Sequence, residues 1–381
     1  MKAAAAFAGI ALMFLSACGS DAGDPPLDPE GALEAPGDTS GEGAGAKTSK
    51  SGGGDTTPTP APYVPQGEPL PSTPDEKWTW VDVPGTKCAN GSDTGIGVNI
   101  TSKSDDVLVF LEGGGACWDG GTCYGGKSIS TYLTGYNKVA FDTDPQRVLF
   151  ATSRGRNNPF RDMNMIYVPY CTGDVHAGNN VVTYSYLGIK HETHHVGRKN
   201  LEIVLSRVAA TFPSAKNVWV AGDSAGGFGA ALSLPLAKQS FPEAQLGIID
   251  DSGQPIAPAP GRWEAWRKAW KLEAPAGCSA CETSPTAYID FYAKAYPDVK
   301  LGLLSFRPDP IISVFMGISQ KTFASELEAT LATFDSMAQS NKHYFIASGA
   351  SHVVFQRATP ELGAWLQQAI DGSPGWSNAK P

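Results

Sequence analysis

No apolar run in this sequence reaches the roughly 18 residues that a membrane-spanning helix requires, which excludes a spanning helix as the core of its architecture. Basic residues are also scarce. The 29 Lys and Arg stand against 38 Asp and Glu, for a formal charge of −9. That balance repels phosphate, and no basic stripe offsets it, so no nucleic-acid partner is expected. Charged residues of both signs make up 18%, below the roughly 25% of ordinary soluble proteins. Internal repeats are absent too. What the 381 residues do hold is 43 Gly, 29 Pro and nine Trp, the composition of a rigid, loop-rich exported protein. About 300 of these residues are enough for one large domain.

The charge is concentrated near the start. Residues 19–76 hold eleven acids and two lysines, so residues 77–381 are close to neutral. Gly, Pro, Ser, Thr and Asp dominate this stretch, with almost no large apolar side chain before Tyr63. Such a segment cannot bury enough surface to offset its ordering entropy, which predicts a disordered linker over 19–76. Ahead of it, Lys2, the apolar run Ala3 to Phe14 and Leu15-Ser16-Ala17-Cys18 resemble a bacterial lipoprotein signal. The resemblance implies that Cys18 is acylated and becomes the mature N-terminus. With Gly19 rather than Asp following, it implies passage to the outer membrane or surface of a Gram-negative cell, attached by lipid only. Residues 77–381 are then the folded domain, expected to act as a monomer.

Six further cysteines follow: Cys88, Cys117, Cys123, Cys171, Cys278 and Cys281. An even number in an exported domain suggests three disulfides. Cys278 and Cys281 form a C-x2-C, but no second pair stands at zinc-ribbon spacing, so no metal is expected there.

Apolar runs of strand length occur at Val107–Leu111, Met165–Val168, Val218–Ala221, Leu246–Ile249, Leu301–Leu304 and Tyr344–Ala347. Between several of them the period changes to that of a helix. Leu201, Val204, Leu205, Val208, Ala209 and Phe212 form one apolar stripe on a helix ending before Pro213, and Phe323, Leu327, Leu331 and Phe334 form another. Strands alternating with helices predict an α/β domain with a mostly parallel sheet, whose ligands bind at the carboxyl ends of the strands.

One such end carries chemistry. The run Asn217 to Ala221 leads into Gly222-Asp223-Ser224-Ala225-Gly226-Gly227, followed by a helix-compatible stretch from Phe228 to Lys238. This is G-x-S-x-G between strand and helix, where glycines permit the sharp turn that lifts the Ser224 hydroxyl above the sheet. The Ala225 N–H then faces the place where charge develops on an attacked carbonyl. The bland alternative is a tight turn with a capping serine. A second donor group is expected after the strand Val107–Leu111, where Glu112-Gly113-Gly114-Gly115-Ala116-Cys117 leaves backbone amides free to approach a substrate oxygen.

Four blocks in order carry a family resemblance. Leu111 to Gly115 with Cys117, Val168-Pro169-Tyr170-Cys171-Thr172-Gly173-Asp174, Gly222 to Gly227, and Asp251-Ser252-Gly253 are similar to successive blocks of the pectin acetylesterase and Notum family of serine carboxylesterases. The resemblance implies an α/β-hydrolase-like fold, no cofactor, and hydrolysis of an ester on a carbohydrate or lipidated protein. It implies an oxyanion hole of Gly114, Gly115 and Ala225, and Cys88–Cys171 and Cys117–Cys123 disulfides. Gly115 stands where Notum has Trp, and Asp223 precedes the serine, two departures that bear on acyl-chain preference.

In this fold class the order is Ser, then acid, then His. His343 opens an apolar run, whereas His352 follows the loop Ser348 to Ser351, which favours His352 as the base. Asp309, held between Pro308 and Pro310 just past Leu301–Leu304, is the expected acid, with Asp251 as the alternative. A competing motif is His191-Glu192-Thr193-His194-His195, which satisfies the H-E-x-x-H pattern of zinc proteases. Gly188 and Gly197 bracket it too closely for a metal-binding helix, so a polar loop is expected instead.

Trp263, Trp266 and Trp270 share a helix face in an aromatic-rich segment from Pro255 to Ala295, read as a small cap insertion in which a Cys278–Cys281 bridge would be local. Sugar stacking is the functional alternative; packing onto the sheet is the commoner fate of such a stripe. The sequence therefore predicts a serine carboxylesterase with O-acetyl groups of a polysaccharide as the leading substrate. A lipase or Notum-like deacylase acting on longer chains is the alternative within the same chemistry.

Overall fold

Strand periodicity sorts the central apolar runs into two cores. Val107, Val109 and Leu111 pack with Leu201, Val204, Leu205 and Val208, while Leu108 and Phe110 pack with Phe160, Phe355, Leu362 and Leu366. A strand buried on both faces has no polar side to turn to water, which is why it reads as an unbroken apolar run.

The computed structural model describes residues 67–125, 135–144, 149–337 and 341–380. The expected signal segment with Cys18, and the linker as far as residue 66, lie outside the described residues. The last part of that linker, residues 67–76, instead packs on the domain. The Leu70 side chain is buried, its N–H donates to Thr211 Oγ1 at 2.7 Å, and Arg207 donates to the Glu68 and Pro69 carbonyls. No helix among the described residues is long and apolar enough to cross a membrane.

The strands are β1 (Thr79–Lys87), β2 (Asp93–Asn99), β3 (Val107–Leu111), β4 (Asn164–Val168), β5 (Asn180–Tyr186), β6 (Ile189–His195), β7 (Asn217–Asp223), β8 (Gln245–Asp251), β9 (Lys300–Phe306) and β10 (Lys342–Ala347). Eight of them form one sheet in the order β1-β2-β4-β3-β7-β8-β9-β10. It is parallel from β4 to β10 and antiparallel at β1-β2-β4. The six runs expected to be strands are β3, β4, β7, β8, β9 and β10. The antiparallel edge and a separate β5–β6 hairpin were not foreseen, because Gly, Pro and His interrupt their apolar pattern.

Helices flank the sheet: α1 (Lys138–Thr143), α2 (Gly197–Thr211), α3 (Ala225–Leu232), α4 (Leu234–Ser240), α5 (Arg262–Trp270), α6 (Ala287–Ala295), α7 (Pro310–Met316), α8 (Gln320–Ser336) and α9 (Pro360–Asp371). Residues of α2, α4, α5, α6 and α8 fill one core, and those of α1 and α9 the other. The stretch Phe228 to Lys238 is two helices rather than one. Pro235, in the first turn of α4, cannot continue a preceding helix because it lacks an N–H. The result is an α/β-hydrolase-like architecture, with four parallel strand ends, those of β7 to β10, side by side on one edge.

Candidate active site

The turn after β7 is shaped by what its glycines lack. A Cβ on Gly222 would lie 2.2 Å from the Gly226 carbonyl, and one on Gly226 would lie 1.9 Å from that of Leu111. With side chains excluded, the chain turns from strand to helix in one residue, and Ser224 takes φ 54° and ψ −119°. A non-glycine residue held there is strained. Its N–H donates to the Asp251 carbonyl at 2.7 Å, which anchors the turn to β8. Ser224 opens α3, so the Ala225 N–H belongs to the unpaired first turn of a helix.

His352 follows β10 on the same edge. Its Nδ1 donates to Asp309 Oδ2 at 2.7 Å, a pairing that leaves Nε2 as the free basic nitrogen. Asp309 is fully buried, and its other oxygen caps α7 by accepting the Ile311 and Ile312 N–H groups, both at 3.0 Å. One carboxylate thus has both oxygens committed, which fixes the direction of the imidazole. His343 is placed elsewhere. It bonds Asn378 and packs edge-on against Trp376.

Asp251, the alternative acid, serves different partners. Its carboxylate accepts from Ser252 Oγ and from the Val354 and Phe355 N–H groups, at 2.9, 2.9 and 2.7 Å. Burial pushes its carboxyl up to about 6. The same cause raises Asp223 to about 7, with repulsion from Asp251 adding, and Asp250 to about 8. Glu112, whose carboxylate accepts the Tyr170 N–H, is likewise held well above the usual range by burial. Four buried acids therefore lie beneath the elbow in addition to Asp309. Nothing in the sequence pattern had singled out Glu112 or Asp250.

The glycine loop after β3 meets the elbow directly. Gly113 donates its N–H to Asp223 Oδ1 at 3.1 Å. Gly114 and Gly115 follow at φ 153° and 86°, conformations that disfavour any side chain. At the far end, the Cys117 N–H donates to the Gly173 carbonyl and the Cys117 carbonyl accepts from Trp270 Nε1 at 2.7 Å. The sulfur pairs are Cys88–Cys171, Cys117–Cys123 and Cys278–Cys281. Cys278 and Cys281 are thus joined to each other rather than available to zinc, and three disulfides fit an oxidising compartment.

His191 to His195 belong to strand β6, neither a loop nor a helix. In a strand, residues four apart are separated by about 13 Å along the chain, too far to share one ion. His191 stacks on Tyr124, while His195 is buried with Nδ1 on the Thr172 carbonyl and Nε2 on Tyr184 Oη. The His195 ring nitrogen and the sulfurs of Cys117 and Cys123 do lie within 4.8 Å of one another. Those sulfurs are already bonded to each other, and both imidazole nitrogens have protein partners.

The aromatic face of α5 is packing. Trp263, Trp266 and Trp270 are buried, Trp266 stacks on Trp270 at 5.4 Å, and Trp118 from the glycine loop meets Trp266 at 5.6 Å. An apolar cavity of about 70 Å³ remains among α3, α5, α6 and the sheet, lined by Phe228, Ile248, Trp266 and Tyr292 among others. Neither Ser224 nor His352 lines it.

The sequence model of the pectinacetylesterase family matches residues 76–258, a range that contains the glycine loop, Ser224 and Asp251 and stops before Asp309 and His352. Human palmitoleoyl-protein carboxylesterase NOTUM is 30% identical over 177 residues, covering 44% of this chain and 34% of that protein. Its counterpart in Schmidtea mediterranea is 27% identical over 158 residues, covering 40% and 28%. The matched stretches thus span about a third of these relatives' lengths. Among solved structures, the Wnt deacylase Notum from Drosophila superposes with a TM-score of 0.58 at 19% identity, over 78% of this chain and 94% of that one.

Proposed function

Since the chain belongs to the pectin acetylesterase and Notum family of carboxylic ester hydrolases, we propose that it is a serine carboxylesterase that removes O-acetyl groups from a polysaccharide through an acyl-enzyme. The observation that carries this reading is the 2.7 Å His352–Asp309 pair on the edge where the strained Ser224 turn emerges. In the proposed reaction the Ser224 hydroxyl attacks the ester carbonyl while His352 Nε2 takes its proton. Asp309 holds the imidazole in the correct tautomer and stabilises the imidazolium. The Gly114, Gly115 and Ala225 N–H groups receive the oxyanion, a role worth about 10² to 10³ in turnover per donor. His352 then protonates the leaving alcohol and activates the water that releases acetate. No cofactor enters these steps.

The short acyl group is supported by the match of residues 76–258 to the pectinacetylesterase family. Trp118, Trp266 and Trp270 pack together beside the glycine loop, where Trp270 Nε1 donates to the Cys117 carbonyl. The names of the NOTUM relatives support the longer-chain alternative. We further propose that Cys18 anchors the enzyme by lipid to the outer membrane, that residues 19–66 act as its tether, and that the domain works as a monomer. Comparing p-nitrophenyl acetate with p-nitrophenyl palmitate, alongside acetate release from acetylated pectin, tests the substrate. Preference for acetate in both assays is expected; faster palmitate turnover with no acetate released from pectin overturns it in favour of a deacylase.

A further inference from the structure

Building on the esterase reading, we infer that Asp223 is a positioning residue that locks the oxyanion loop to the nucleophile strand by accepting the Gly113 N–H. Asp223 is the last residue of β7, the immediate neighbour of Ser224, and 2% exposed. Its carboxylate reaches across to the first glycine after Glu112, where Oδ1 accepts the Gly113 N–H at 3.1 Å. The two backbones are already as close as they can be. A Cβ on Gly113 would lie 2.5 Å from the Asp223 carbonyl oxygen and 3.0 Å from Ser224 Cβ.

This contact sets the distance between the serine and the next two amides, those of Gly114 and Gly115. Three consecutive glycines have no side chains to hold themselves in place and carry the largest backbone freedom of any sequence. The loop must be held from outside. Its far end is held by Gly173 and Trp270 through Cys117, and its root by the Glu112 N–H on the Val168 carbonyl. Within the glycines themselves, the side chain that bonds the backbone among the described residues is that of Asp223.

An acid is a costly choice for such a clamp. Asp223 lies in a dry site facing Asp251, with Glu112 nearby and His352 the basic partner. Buried like charges of this kind collect at functional sites. Burial holds Asp223 at about 7, and once ionised above that pH its carboxylate accepts an amide N–H more strongly than a neutral oxygen does and favours the imidazolium that His352 becomes during turnover.

The test compares Asp223→Ala, Asp223→Ser and Asp223→Asn with the unaltered chain, reading p-nitrophenyl acetate kinetics, inhibition by phenylboronic acid and the thermal midpoint. The boronate forms a tetrahedral adduct whose oxygen sits in the oxyanion hole. Loss of the acceptor in the Ala and Ser variants should lower kcat about 10- to 100-fold, the scale of a slightly misplaced group. KM should stay within about twofold, and boronate affinity should fall in step with kcat. Asp223→Asn keeps an oxygen where Oδ1 stands and should recover most of both. Should the Ala variant fail to fold, the Ser variant carries the same expectation. Unchanged kcat and boronate affinity in Ala or Ser, loss confined to KM, or an Asn variant as poor as Ala each overturns the role. Absence of turnover in the unaltered chain removes the esterase reading and this role with it.

Discussion

The Asp251 carboxylate accepts the Phe355 N–H at 2.7 Å. The same residue accepts the Val354 N–H beside it and, through its carbonyl, the Ser224 N–H. Asp251 therefore joins the turn that carries the nucleophile to the loop that carries His352, while Asp309 alone of the two acids is bonded to the imidazole.

That division of labour predicts different losses. Asp309→Asn keeps an oxygen for capping α7 but leaves the wrong tautomer favoured at His352, so kcat should fall by about 10⁴ with little change in stability. Asp251→Ala leaves two buried N–H groups without an acceptor, at about 1–3 kcal/mol each, and should lower the unfolding midpoint more than Asp309→Asn does. Kinetics and thermal unfolding of both variants distinguish them. The reverse pattern would return the triad role to Asp251.

The buried acids also set a direction for stability against pH. Asp251, Asp223 and Asp250 are raised to about 6, 7 and 8 by burial, whereas an unfolded chain releases those protons near pH 4. Between these values the folded state holds more protons, so stability falls as pH rises from about 4 to 8. The thermal midpoint should be higher at pH 5 than at pH 8. Asp250→Asn, which retains the acceptor for the Gly253 N–H, should flatten the difference; a midpoint that rises toward pH 8 contradicts the assignment.

Much of this fold can be read from sequence where burial is two-sided. β3 and β7 are continuous apolar runs because both faces are covered. The β5–β6 hairpin is not legible in that way, since Val181 and Ile189 face solvent while His195 is buried. The Ser224 turn is legible because its glycine requirement is steric and local. The His352–Asp309 pair spans 43 residues, and the resemblance to a family, together with strand order, brought those residues into view. The roles of Asp223 and Asp251 were out of reach, because each depends on a backbone group supplied by another strand or loop.

Strand geometry at His191 to His195 predicts indifference to metal removal. Turnover of p-nitrophenyl acetate should survive EDTA and 1,10-phenanthroline, and Glu192→Ala should keep kcat within about twofold, as surface changes away from a site usually do. Loss of activity to a chelator, restored by zinc, would show that the motif does bind metal.

The two disulfides near the site should differ in what they protect. Cys88–Cys171 closes 83 residues and Cys117–Cys123 closes six. On loop-entropy grounds their removal should cost about 4.5 and about 2 kcal/mol respectively. The shorter one stiffens the segment after the glycine loop, so Cys117→Ser with Cys123→Ser should lower kcat more than Cys88→Ser with Cys171→Ser at a temperature where both are folded. Equal kcat in the two double variants would deny the short bridge any part in placing the loop.

The most direct measurement is mass spectrometry of the protein after treatment with a fluorophosphonate, with esterase activity followed in the same sample. One phosphonyl group on Ser224, activity lost in proportion to labelling, and a Ser224→Ala variant that folds but neither labels nor hydrolyses p-nitrophenyl acetate are the predicted results. A Ser224→Ala variant with undiminished turnover, or a label on a different residue that accounts for the lost activity, would contradict the account.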